Sequence, residues 1–239
     1  MTVSIVVTGS PGSGKTLTAV KIATALADFR RKVILICCDE QVPAVPLLIP
    51  GAADGAPSLG SLLRLPRISP VSALRHCIPF GKSGLIGLLG YRIGDQSPPE
   101  GCESRVVPLL STLRNCADYK VSDCSLENCL AGPLLNDCDI CFRLLNAGLK
   151  SFIYFEAHRE LLKCQFQAVN ILNNLKPYED PSLFGECLGS ISCELPHVQV
   201  LDEQFSSGRL SEPAFGDSAR QYHRNLYKMV VQELLSQEN

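Results

Sequence analysis

The chain has 239 residues, enough for one large α/β domain with a substantial core. Apolar residues make up 46% and charged residues 19%, which excludes a disordered chain, and a net charge of -2 excludes a global polyanion-binding surface. Twelve cysteines without an export signal predict a reducing compartment and free thiols.

The opening, Met1 to Thr8, lacks a basic leader, and its short apolar run enters a glycine loop directly. It reads as a first strand, Val3 to Val7, and not as a signal peptide. A helix is expected from Lys15 to about Ala27, followed by a fully apolar second strand, Lys32 to Cys38, that ends at Asp39. The Pro/Gly-rich stretch from Val42 to Pro57 reads as loop, Ser58 to Leu63 as a short helix, and Gly84 to Leu89 as another buried strand. Gly90 to Gly101 holds Gly, Asp, Ser and two prolines and reads as a surface loop.

A helix from Glu103 to Cys116 then delivers the chain to a strand at Tyr119 to Asp123. Further strands are expected at Asp139 to Leu145, Gln167 to Leu172 and Ile191 to Leu195, with helices at Leu149 to Leu162 and Asp217 to Ser236. Alternation of strand and helix predicts a three-layer, doubly wound, mostly parallel sheet of about seven strands in a single domain, residues 1–239. The apolar runs are strand-length and broken by charges, Gly or Pro, so no bilayer span is expected and the chain reads as cytoplasmic.

Residues Gly9-Ser10-Pro11-Gly12-Ser13-Gly14-Lys15-Thr16 match GxxxxGK[ST] between an expected strand and an expected helix. In that context the glycines turn backbone N–H groups inward around phosphate oxygens at the positive end of the following helix. Lys15 is placed to bridge the terminal phosphates, the Thr16 hydroxyl to ligate Mg²⁺, and Leu17 to continue the cradle into the helix. Asp39 and Asp123 both end strands on the ligand-binding edge of such a sheet. A carboxylate there holds Mg²⁺ directly or through water, or orients an attacking water; the plainer reading is a strand-end Asp that caps the next turn.

At these residues the sequence resembles the ParA/MinD family of dimeric P-loop ATPases, which includes CpaE/TadZ-like pilus-localisation proteins. KVILICCDEQ is similar to the family's strand two, which ends in Asp-x-Asp-x-Gln, and DYKVSDCS resembles its Asp-Tyr-x-x-x-Asp-x-Pro segment. The resemblance implies that Asp123 is the Mg²⁺-associated aspartate and Asp39 the water-activating one. Later segments, NDCDICFRLLNAGLKS, ILNNLKP and ELPHVQVLDEQFSSG, resemble the family's following strands and the loop near the adenine. Two positions depart from the pattern: Ser10 stands where the family has an additional lysine, and Cys37 replaces the first aspartate of the strand-two motif.

Asn173 and Asn174 follow an apolar strand on the same edge, where a carboxamide can pair with adenine; Asn-Asn before Lys-Pro is equally a good turn. Pro196 and His197 begin a later loop that can flank the base. No Asn/Thr-Lys-x-Asp guanine motif is present, which favours ATP with Mg²⁺. Cys138-Asp139-Ile140-Cys141 has CxxC spacing without a second CxxC or nearby His, so buried thiols are expected in place of a metal site.

Phe29-Arg30-Arg31-Lys32 reads as a basic helix end, and Arg220, His223, Arg224 and Lys228 as a solvated face of the last helix. No strong DNA or membrane signal results. The expected function is an Mg²⁺-ATP-dependent switch whose loops near Gln41 and Ser125 respond to the γ-phosphate and alter a homodimer or an unidentified partner interface, in positioning or partitioning a cellular assembly. Two other readings stand beside it: a nucleotide-binding scaffold of pilus or secretion machinery without hydrolysis, and a small-molecule phosphotransferase. The last lacks an Arg-rich lid to clamp a second phosphorylated substrate.

Overall fold

The computed structural model of the chain describes residues 2–52, 55–95, 103–163, 166–176 and 190–236. Eight strands form one sheet: β1 (Val3–Gly9), β2 (Val33–Cys37), β3 (Ile78–Phe80), β4 (Ile86–Gly90), β5 (Tyr119–Asp123), β6 (Ile140–Leu145), β7 (Gln167–Leu175) and β8 (Ile191–Pro196), in the order β3-β4-β2-β5-β1-β6-β7-β8. Every pairing is parallel except β3 against β4. The central strands are continuous apolar runs because both faces are covered: all five residues of β2 are buried.

Helix α1 (Lys15–Asp28) follows β1 and packs its small and branched residues, Ala19, Ile22, Ala23 and Leu26, into the core on one face. The last long helix (Asp217–Val230, continuing as a π-helical turn over Val231–Leu235) lies beside it and buries Tyr222, Leu226, Met229 and Val230. The apolar residues of that helix therefore form a packing face. The opposite face of the sheet is covered by α5 (Glu103–Leu113), α6 (Ala131–Asn136) and α7 (Leu149–Ala157), together with the short helices α3 (Leu59–Leu63) and α4 (Pro70–His76).

The sheet has eight strands where about seven were expected, the additional one being the edge strand β3. Ile78-Pro79-Phe80 is three residues long with a proline at its centre, a pattern tolerated only at an edge. The stretch Val42 to Pro57, expected as loop, contains α2 (Ala44–Leu48): Pro46 falls early enough in this five-residue turn that no helical hydrogen bond needs its missing N–H. The helix expected over Leu149 to Leu162 ends at Ala157, with a separate 3₁₀ turn at Leu161–Lys163. The surface loop expected from Gly90 to Gly101 lies outside the described residues beyond 95. Cys138 and Cys141 are buried, the described cysteines are free thiols, and no metal-capable cluster occurs among the described residues.

Candidate phosphate and nucleotide site

Strands β1, β2 and β5 run parallel and in register, with Cys37 and Val7 both opposite Asp123, so their carboxyl ends form one edge. The glycine loop leaves β1 at this edge. Gly12 and Gly14 adopt positive φ, 80° and 86°, and Gly14 caps α1, so the loop's turn and the helix start coincide. Gly14 is required twice over: any Cβ there would also stand 2.5 Å from Asn173 Nδ2. Ser13 N donates to the Ser10 carbonyl at 3.0 Å and Thr18 N to the Gly14 carbonyl at 2.9 Å, closing the loop onto the helix.

Lys15 Nζ lies 3.4 Å from the Ser10 carbonyl, folded over the loop. Thr16 Oγ1 donates to Asp123 Oδ2 at 2.6 Å. Asp123 is buried, and burial pushes its carboxyl up to about 6, against the Thr16 hydrogen bond and the Lys15 charge, which pull it down. A buried carboxylate that is only partly neutralised, touching a hydroxyl beneath a glycine loop, is a hard oxygen pair suited to a divalent cation.

Asp39 is exposed at the end of β2 and lines the same cavity of about 860 Å³ as Lys15, Thr16 and Asp123. Its Oδ1 accepts from Gln41 N and Val42 N, both at 2.9 Å, so the carboxylate also shapes the loop that follows. Cys37 is fully buried, its thiol held well above its ordinary value by burial and by Asp123 and Asp39, and it adds no charge to the edge. Asn128 Nδ2 donates to the Cys38 carbonyl at 2.8 Å and fastens the loop after β5 to the end of β2. Sequence reasoning missed this strut, because the residue carries no motif.

Leu17, Asn173, Asn174 and Pro196 meet at a cleft of about 80 Å³ on the other side of the loop, together with Tyr222, which the sequence did not single out. Asn173 is buried and its Nδ2 donates to the Ser13 carbonyl at 2.7 Å, so this carboxamide supports the phosphate loop. Asn174 has φ 60° and its Oδ1 is hydrogen-bonded with His197 Nδ1 at 2.6 Å. Both asparagines lie within β7 and not in a turn after it: in place of the turn expected from Asn-Asn, the β7–β8 register is irregular between Leu172 and Leu175, where Asn174 takes its positive φ, and the same residues wall the cleft.

No protein-family model matches the chain, and no curated protein matches it. Solved structures do. The septum site-determining protein MinD of Pyrococcus horikoshii, a complex with Mg-ADP, superimposes with a TM-score of 0.78 at 17% identity over 99% of this chain and 98% of its own. Apo McdA of Cyanothece gives 0.77 at 16% identity over 96% and 100%. A plasmid partition protein of Borrelia burgdorferi bound to AMPPNP gives 0.77 at 15% over 97% and 100%. The chain thus has the fold of the MinD and ParA-type P-loop ATPases along essentially its whole length.

Proposed function

We propose that the chain is a single Mg²⁺-ATP-binding domain acting as a nucleotide-dependent switch in the positioning or partitioning of a cellular assembly. The observation that carries this reading is the Thr16 Oγ1 to Asp123 Oδ2 contact of 2.6 Å behind the loop lysine. The residues present fit the nucleotide and its metal: loop amides and Lys15 for the phosphates, and a hydroxyl with a buried carboxylate for Mg²⁺. Bound Mg²⁺ supplies charge neutralisation between the outer phosphates.

In this reading Gly9, Ser10, Pro11, Gly12, Ser13 and Gly14 cradle the phosphates, Lys15 holds their outer oxygens, and Thr16 and Asp123 hold the metal. Asp39 accepts a hydrogen bond from the water that attacks the γ-phosphate, or reaches the metal through water. Leu17, Asn173, Asn174 and Pro196 form the base side of the site. Adenine is favoured because structures of the same fold carry Mg-ADP and AMPPNP, and because the sequence lacks a guanine motif. Gln41, Val42, Ser125 and Asn128 line the cavity, so the loops bearing them are placed to respond to a γ-phosphate. Such a response would present a changed surface to a second copy or a protein partner. Among the described residues no helix is long and apolar enough to cross a membrane, and we place the chain in the cytoplasm.

A second reading, binding without useful hydrolysis, is supported by Asp39 itself, whose Oδ1 already accepts two backbone N–H groups. Single-turnover hydrolysis of Mg-ATP by wild type and Asp39→Ala separates the two. The switch predicts phosphate release that falls by about 100-fold or more in Asp39→Ala. Release that is negligible in both proteins, with ATP still bound, supports the scaffold.

A further inference from the structure

The phosphate loop is touched by a second ammonium group. Lys150, on the first turn of α7, is exposed, and its Nζ donates to the Pro11 carbonyl at 3.0 Å. Lys15 Nζ lies 3.4 Å from the carbonyl of the preceding residue, Ser10. Two lysines from distant parts of the chain therefore rest on consecutive carbonyls of one loop, on residues whose Cα atoms stand about 3.8 Å apart.

The turn that presents Lys150 is itself docked. Asn146 Nδ2 lies 3.4 Å from the Gly12 carbonyl, and Asn146 N donates to Ser151 Oγ at 2.9 Å. The helix start is thereby held against the loop, while the Lys150 side chain stays exposed. An ammonium has three donors, so it can keep the Pro11 carbonyl and take a phosphate oxygen together.

Charge on the wall gives that ammonium a task. The main cavity is lined by Asp39, Glu40, Asp123, Glu127 and Asp202, against Lys15 as the cation among its described lining residues. A triphosphate carries more negative charge than one divalent cation and one lysine neutralise, and these carboxylates add to the deficit. Ser10, within the loop, is 1% exposed and its neutral side chain adds no charge.

We propose that Lys150 is a binding residue for the terminal phosphate of a nucleoside triphosphate held in the same chain, and that it makes the site prefer triphosphate to diphosphate. This rests on the reading of the loop as a nucleotide-phosphate site. A diphosphate ends short of the position that the second ammonium serves, so its affinity does not depend on Lys150.

The test is equilibrium titration of Mg-ADP and Mg-AMPPNP into wild type, Lys150→Met and Lys150→Arg. Lys150→Met should weaken AMPPNP by about tenfold and leave ADP unchanged, the retained ADP affinity showing that the variant is folded. Lys150→Arg, which keeps the charge, should restore most of the loss. Equal weakening of both nucleotides would show that Lys150 only braces the loop through Pro11, and unchanged affinity for both would show that it does nothing at the site; either result overturns the proposal. A wild-type chain that binds neither nucleotide removes the phosphate-site reading itself and this proposal with it.

Discussion

Strand β5 carries two buried charged residues, Lys120 near its start and Asp123 at its end, and their surroundings differ. Lys120 Nζ meets Asp137 Oδ2 at 2.5 Å and also approaches the Leu110 carbonyl, while Arg114 Nη2 holds the other oxygen of Asp137 at 2.6 Å. Burial lowers the Lys120 ammonium, Asp137 opposes that effect, and Asp137, despite its own burial, is held below its ordinary value by Lys120 and Arg114. Asp123 has no such counter-charge in contact. Its hydrogen-bond partner is the neutral Thr16 hydroxyl, and its carboxyl stands at about 6. The amino edge of the sheet is a closed ion-paired clamp that ties α5, β5 and α6 together; the carboxyl edge keeps a charge uncompensated. A buried charge left partly unpaired is tolerated where a ligand completes it, and that difference is what the proposed function draws on in assigning the carboxyl edge to the ligand.

Breaking the closed end should produce the largest effect on stability. Lys120→Ala leaves Asp137 with Arg114 as its cation and the Ser4 hydroxyl as its other side-chain partner, and opens a void under α5, at a cost of about 3 kcal/mol in denaturant unfolding. Loss of less than about 1 kcal/mol would mean that the clamp is not a stabilising pair.

Neutralising the open end should have the opposite sign. The folded state raises the Asp123 carboxyl from the ordinary 3.8 to about 6, so it binds a proton that the unfolded chain has released. Stability from this group is full below the ordinary value and lost as pH rises toward 6. Asp123→Asn should therefore match wild type near pH 3.5 and exceed it by about 2 kcal/mol at pH 7, measured without ligand, while losing the extra stabilisation that Mg²⁺ gives in the presence of ATP. An Asn variant that is less stable than wild type at pH 7 contradicts the contrast between the two ends. The smallest effect belongs to Arg114→Ala. With 46% of its side chain exposed, the arginine should contribute less than about 1 kcal/mol, and raising the salt should shrink that further.

The central strands were legible because parallel pairing under two layers of helix demands unbroken apolar runs, as Val33 to Cys37 shows. The loop glycines, Lys15, Thr16 and both strand-end aspartates were legible for a related reason: a strand–loop–helix unit places them all on one edge. What escaped was set by tertiary contacts. β3 is too short and proline-broken to show periodicity, and α2 is a single turn whose residues gave only loop signals. Lys150 and Asn128 carry no motif, and the crossovers that bring them to Pro11 and Cys38 are not encoded in local spacing. Asn173 lines the cleft, and its hydrogen bond to Ser13 could be read only from the folded chain.

The most direct test of the account is calorimetric titration of Mg-ATP into wild type and Lys15→Ala. Saturable binding at one site per chain in wild type, weakened by about 100-fold or more in the variant, is the predicted result. Absence of binding in wild type, or equal affinity in the two proteins, would contradict the claim that this loop is where the chain holds nucleotide phosphates.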